Sequence, residues 1–448
     1  MDGSEGLACQ GCERLREDVQ QLRAENSRLR EENAELKRRL TLYENPNAPS
    51  SLRRYPVRAR SVYCGKRFPG RPSGHPGKTR PFPKPDVVIA PERKDGCEQC
   101  GAQLGEPSYV NHRVVEEISN PSPGHVIDFL EFEWRCEACG TYTVSRHPDC
   151  PPDGRFGKNL LVQTTLMKFE ERLPLQKIAE GLERQYGLSM TPATVLDMTR
   201  RVADWLRPEY EAIRKRIQRS KVVYTDETGE KVDGEKYWLW CFTTDTDTLT
   251  VIRKSRGKKV LKEILGEDFK GIIVCDGWRS YSNYTSRIQR CWAHLLREAK
   301  CLAEQIDEAK PLSEALHRLY SRFKDPPRDR SSPDEVKRLV KAGKRIMMYW
   351  ATKPYETGEV RRFVAKIRNG IDHWFTFLTT PGVEPTNNRA ERALREHVVQ
   401  RKIIGTFRNG KGTRIHETIM TMLTTWKQRG LNPTNTLAET LTKQWMKS

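Results

Sequence analysis

The chain has 448 residues, enough for roughly two to four domains, and its 79 Lys and Arg against 59 Asp and Glu give a net charge of +20. Such a balance selects an acidic partner, nucleic acid first and an anionic membrane surface second. No apolar run of about 18 residues and no N-terminal apolar signal core occurs, which excludes a membrane-spanning or secreted protein and leaves a soluble one, cytoplasmic and nucleoid-associated. In that compartment the 12 cysteines, several in Cys-x-x-Cys pairs, read as metal ligands before disulfides.

Residues 13–45 count out a heptad. Leu15, Leu22, Leu29, Leu36 and Tyr43 fill d positions, and Val19, Asn26, Asn33 and Leu40 fill a positions. Leucine at d with a buried asparagine at a favours a parallel pair of helices. The g-to-e pairs Asp18–Arg23, Glu25–Arg30, Glu32–Lys37 and Arg39–Glu44 are all attractive in that arrangement. A single solvated amphipathic helix is the alternative; the agreement of heptad and charges favours a homodimer or higher oligomer. Residues 46–88 form a basic linker with no Asp or Glu between Asn45 and Pro85. Its Arg53, Arg54, Arg58, Arg60, Lys66, Arg67 and Arg71 suit salt-sensitive contact with DNA phosphates, and a solvated spacer is the bland alternative.

Across 89–150, the pairs Cys97/Cys100 and Cys136/Cys139 are each followed by a glycine. Four thiolates at that spacing fit one structural Zn²⁺ in a ribbon, with no open position for catalysis. Over 151–219 the pattern is helical. Leu175, Ile178, Ala179 and Leu182 make one apolar face that Gly187 ends, and Thr191 and Pro192 start a second helix carrying Arg200 and Arg201. Two helices joined through a glycine turn fit a DNA-binding helix-turn-helix, although ordinary helical packing gives much the same pattern.

From residue 220 strand signals cluster at Val222–Thr225, Tyr237–Phe242, Leu249–Arg253, Ile272–Cys275 and near Ile288–Cys291, with a helix from Arg256 to Leu265. Asp226 closes the first apolar strand and Asp276 the fourth. Glu391 stands at the head of a helical stretch, in Asn387-Asn-Arg-Ala-Glu391-Arg392. Two strand-end aspartates and a helix-borne glutamate are a ligand set for a pair of Mg²⁺ or Mn²⁺ ions, hard cations that take oxygen ligands and clamp both oxygens of a phosphodiester displacement. Glu396, one turn on, is the rival third ligand, and Glu230 is a candidate outer group. Asn388, Arg392 and Arg395 flank Glu391 at helical spacing, and Arg401 and Lys402 follow as a candidate DNA-backbone surface or a solvated loop. Cys291 and His294 resemble half of a metal site without a second pair, so a packed or DNA-orienting role is preferred. The interval of about 295–370 reads as a helical insertion, and 426–448 as a helical tail.

The motifs Tyr224-Thr-Asp226-Glu-Thr, Cys275-Asp276-Gly-Trp-Arg-Ser-Tyr281, Cys291-Trp-Ala-His294 and Asn387-Asn-Arg-Ala-Glu391-Arg-Ala393, in that order, resemble the DDE transposases of the insertion sequence sixty-six family. The resemblance implies a ribonuclease-H-like catalytic domain over 220–425 and the catalytic triad Asp226, Asp276 and Glu391. It also implies an enzyme that cuts and joins DNA, with double-stranded transposon ends and target as substrate and accessory proteins of the same element as further partners. The expected class is α/β and multidomain: coiled coil, zinc ribbon and helix-turn-helix ahead of the catalytic domain. A metal-dependent nuclease without strand transfer and a domesticated, regulatory DNA-binding protein are the alternatives.

Overall fold

The computed structural model describes residues 10–44, 124, 126–129, 132–135, 139, 142–145, 147–324 and 332–447. The chain divides into two compact units, 1–122 and 123–448. The first contains one described element, the helix α1 (Gln10–Glu44), built from the strong helix formers Leu, Arg, Glu and Gln. Its Val19, Leu22, Leu29 and Leu36 are between 41 and 59% exposed, so the heptad stripe faces water on the single chain. The linker cations from Arg53 to Arg71 lie outside the described residues, as do Cys97, Cys100 and Cys136.

The second unit opens with an antiparallel hairpin, β1 (Phe132–Arg135) and β2 (Tyr142–Ser145), whose connection carries Cys139. Three helices follow, α2 (Lys158–Phe169), α3 (Leu175–Tyr186) and α4 (Pro192–Gln218). The glycine at the end of α3 does what its position suggests: Gly187 adopts φ 66° and donates its N–H to Glu183. Thr191 caps α4 by accepting the Thr194 N–H at 3.2 Å, with Pro192 in the first turn. The apolar stripe of α4 runs on through Leu206, Tyr210, Ile213 and Ile217, which joins the helical region to the sheet in one core.

That sheet contains β3 (Val222–Val232), β4 (Glu235–Thr243), β5 (Thr248–Arg253), β6 (Ile272–Cys275) and β7 (Ile288–Arg290). Its spatial order is β5-β4-β3-β6-β7, antiparallel from β5 to β3 and parallel from β3 to β7. Helices α5 (Lys258–Leu265) and α6 (Arg279–Ser282) flank β6. Asp226 does not close its strand, as the apolar run suggested. It lies within β3, because the polar stretch Glu227–Lys231 continues to pair with β4 through a turn at Asp233 and Gly234, both at positive φ. An Asp-Gly turn with that geometry matches the twist of a hairpin, so polar residues stay in the ladder.

Alternation along the strands splits two cores. Val223, Trp240, Phe242, Val251, Ile273 and Cys275 share a core with α2–α5 and with the helical residues 415–426 and 437–445, while Tyr224 and Val274 face the helical insertion. The insertion comprises α7 (Trp292–Gln305), α8 (Lys310–Phe323), α9 (Pro333–Thr352) and α10 (Gly358–Asn369). Trp292 anchors it: the ring is fully buried against Tyr320, Trp374 and Phe375, and its Nε1–H donates to the Trp374 carbonyl at 2.6 Å. A short α11 (Thr376–Thr379) leads to α12 (Asn388–Ile404), α13 (Gly410–Gln428) and α14 (Pro433–Trp445). Among the described residues no helix is long and apolar enough to cross a membrane.

Helices α12 and α13 meet β5 through a buried histidine pair. His397 lies 3.0 Å from His416, and its other ring nitrogen lies 3.1 Å from Thr250 Oγ1. Burial pushes His397 down to about 4 and holds His416 well below the usual histidine range. Between about pH 6.5 and 4 the unfolded chain therefore binds protons that the native pair refuses, and native stability falls as pH drops through that window. Urea unfolding from pH 7.5 to 4.5 will show this loss as a slope of up to about 1.4 kcal/mol per pH unit per histidine. The His397→Gln/His416→Gln double variant will lack that component.

Candidate active site

Parallel register brings the two aspartates level. Tyr224 pairs with Val274, so Asp226 and Asp276, each two residues on, stand at the same level of the sheet, and the charge of Asp276 is felt at Asp226. Asp276 follows β6 in a tight turn in which its Oδ1 accepts the Trp278 N–H at 2.8 Å. Asp226 Oδ1 accepts the N–H of Glu227.

The third acid arrives on α12. Asn387 precedes that helix, yet its side chain caps nothing; Nδ2 instead donates to the Thr225 carbonyl at 2.9 Å, next to Asp226. Its backbone N–H donates to the Cys291 sulfur at 3.1 Å. Glu391 stands one turn further, in the first turn of α12, where a carboxylate also complements the helix dipole. Arg389 reinforces the junction by bridging Glu384 and Asp245 at 2.6 and 2.7 Å beside the Tyr224 ring.

The charges of Asp276 and Glu391 are felt at Asp226. Burial pushes the Asp226 carboxyl up to about 7, and the negative charges of Glu227, Asp276 and Glu391 add to that rise. Glu227 belongs to the opposite face, where it pairs with Arg256 at 2.7 Å and accepts the Tyr281 hydroxyl. Arg256 is in turn stacked between Trp238 and the exposed Trp278. Among the described residues no ion pair with Asp226 is formed. A half-buried carboxylate cluster in that state fits hard divalent cations in its donor type and in its deficit of positive charge.

Other expected residues separate from this cluster. Glu396 is engaged in a two-point ion pair with Arg172, at 2.6 and 2.8 Å, which removes it as the rival to Glu391. Glu230 stays on the right face, but four residues along β3 is about 13 Å, and its charged neighbour is Arg401. Arg401 is itself tied to β3 through the Gly229 carbonyl and Thr228. Asn388, Arg392, Arg395 and Lys402 are exposed along α12. Arg201 is a correction to the expected DNA surface. It is buried beneath Trp205 and paired with Asp153 at 2.6 Å, because it falls on the stripe of α4 that packs inward. Arg200 is exposed, with both ends of its guanidinium engaged by Asp197 and Asp204 at 2.7 Å.

Three further residues stand near Glu391: Cys291 and His294, expected to have a packed or DNA-orienting role, and Arg297, which the sequence did not single out. His294 Nδ1 lies 3.4 Å from Glu391 Oε1, and Arg297 lies 3.9 Å from Oε2. Cys291 completes a group with His294 and Glu391 whose candidate ligand atoms all lie within 4.8 Å of one another. The Cys-x-x-His spacing was the available signal; its partner, about a hundred residues on, was not. The insertion also reaches this end of the sheet, since Lys366 of α10 lies against Gly277 and pairs with Glu298 at 2.6 Å.

A five-stranded mixed sheet flanked by many helices defines an α/β protein. Residues 153–415, more than half of the chain, match the family described as Transposase IS66 family, and the chain belongs to that family. Two relatives from Sinorhizobium fredii are uncharacterized proteins. The one called y4qI is 24% identical over 324 residues, 64% of this chain and 59% of its own length. The other, y4jD, is 24% identical over 405 residues, 80% of this chain and 76% of its own. The chain thus spans about three fifths of the first relative's length.

Asn387→Ala removes the link between α12 and β3 and leaves the Thr225 carbonyl buried without its donor. We expect a loss of about 1–3 kcal/mol in chemical denaturation, with Asn387→Asp no better, because a carboxylate cannot donate.

Proposed function

We propose that this transposase-family protein binds transposon ends and catalyses metal-dependent DNA strand cleavage and strand transfer, with Asp226, Asp276 and Glu391 as the catalytic triad. The observation that carries this reading is the elevation of Asp226 by burial and by the charges of both other acids, a repulsion that bound cations would relieve. The order β5-β4-β3-β6-β7, with its antiparallel-to-parallel change, supports a ribonuclease-H-like catalytic domain.

Two Mg²⁺ or Mn²⁺ ions, when bound, would supply charge stabilisation at the attacking and leaving oxygens of the phosphodiester. The three carboxylates would hold them. Asp226 acts as a ligand once its proton has left. The Trp278 N–H orients Asp276, and the Asn387 bond to β3 fixes the level at which Glu391 enters. Most of the remaining barrier is a matter of positioning, so few further acid–base groups are required. The exposed Asn388, Arg392, Arg395 and Lys402 would contact phosphates beside the acids, with the basic 46–88 segment and the α3–α4 pair, including Arg200, extending the DNA contact. Cys97, Cys100, Cys136 and Cys139 would hold one structural Zn²⁺. The exposed stripe of α1 would close on a second copy of itself.

Asp226→Asn protein is expected to bind the element's end DNA with wild-type affinity in a gel-shift titration while losing at least about a thousandfold in cleavage and strand transfer with Mg²⁺. Intact cleavage would remove Asp226 from the mechanism. For the zipper, the Leu22→Lys/Leu29→Lys variant should sediment as a monomer where the wild type sediments as a dimer or larger; an unchanged mass would reject α1 as the pairing element.

A further inference from the structure

Cys291, Trp292 and His294 form the join between β7 and α7; Trp292 fills the core of the insertion and the Cys291 sulfur accepts the Asn387 N–H. Cys291 stands at the start of α7, buried, and His294 follows three residues later, on the same turn. Both face the first turn of α12, from which Glu391 enters. Within that gap His294 Nδ1 and Glu391 Oε1 are buried atoms with no hydrogen-bond partner, although they lie only 3.4 Å apart. Two such atoms left facing each other indicate something that both could hold. The sulfur of Cys291 completes the set within 4.8 Å.

We propose that Cys291, His294 and Glu391 form a binding site for one divalent ion of the zinc class, distinct in donor chemistry from the three-carboxylate site. Sulfur and imidazole select Zn²⁺ or Co²⁺ over Mg²⁺, which takes oxygen almost without exception. Ligand atoms on a tetrahedral zinc stand about 3.5 Å apart, given bonds of about 2.0–2.3 Å. The nitrogen–oxygen pair already meets that spacing, and the sulfur needs to approach by about 1 Å. Burial pushes the Cys291 thiol up, and the Asn387 N–H, 3.1 Å from the sulfur, offsets part of that rise. Three protein ligands leave a fourth position open, as in zinc sites that admit water or substrate.

Glu391 belongs to both sets. Resting on the catalytic reading above, occupation by a zinc-class ion would draw Glu391 toward α7 and away from Asp226 and Asp276. Such an ion would therefore compete with Mg²⁺ for one side chain rather than support it.

The test is a Co²⁺ titration of the full-length protein, stripped of loosely held metal, followed by absorbance. Wild type should take up about one Co²⁺ equivalent more than Cys291→Ser or His294→Ala, with a thiolate-to-metal band in the near ultraviolet that both variants lack. Co²⁺ held at Cys97, Cys100, Cys136 and Cys139 is common to all three proteins and cancels in the difference. His294 is half-exposed, so its variant should keep the wild-type thermal melt, which guards against loss of the site through misfolding. Equal uptake and an unchanged band in both variants would overturn the proposal. The Asp226→Asn protein separates the two readings: it should keep the extra equivalent, and losing it would mean the ion sits among the carboxylates instead. If Asp226→Asn still cleaves DNA, the catalytic assignment fails while the Cys291–His294 site stands on its spectrum.

Discussion

The parallel pairing of β3 with β6 is the constraint on which the site depends. It is short, running from Val222–Ile272 to Tyr224–Val274, yet it sets the level of both aspartates. A slip of one residue would turn Asp226 or Asp276 to the other face of the sheet, where Glu227 already has Arg256 and Tyr281. The apolar neighbours hold that register. Val223 and Ile273 face one core and Tyr224 and Val274 the other, so burial on both sides penalises any alternative pairing.

Everything else at the site is joined to that pair through α12. Asn387 binds β3 and β7's end at once, by its side chain to Thr225 and its backbone to Cys291. The helix thereby carries Glu391 to the aspartates on one side and to His294 and Arg297 on the other. One carboxylate thus stands at the meeting of a hard-oxygen environment and a softer sulfur–nitrogen one. That geometry makes α12 the element whose small shifts would be felt most in the chemistry. Its far end is correspondingly well held: Gln400 donates to the Phe169 carbonyl, and the histidine pair locks it to α13.

The helical insertion has its own core but is not remote from the acids. Trp292 links it to the sheet through contacts with Trp374 and Phe375, and Lys366 lies against the turn after Asp276. Positive side chains therefore approach the carboxylate cluster from α7, α10 and α12.

Much of this could be read from local pattern. The strands at Val222, Leu249 and Ile272 and the Gly187–Thr191 turn all follow from residues within a few positions of one another. So did the choice of Asp226, Asp276 and Glu391 as acids worth attention, since each sits in a distinctive local motif. Tertiary structure decided what no local window contains. It extended β3 past Asp226, because the partner strand lies across a hairpin. It gave Glu396 to Arg172, buried Arg201 against Asp153, and brought Glu391 to Cys291 and His294. Each of those outcomes pairs side chains separated by tens to hundreds of residues, and the energy of such a pair exists only once the intervening chain has packed.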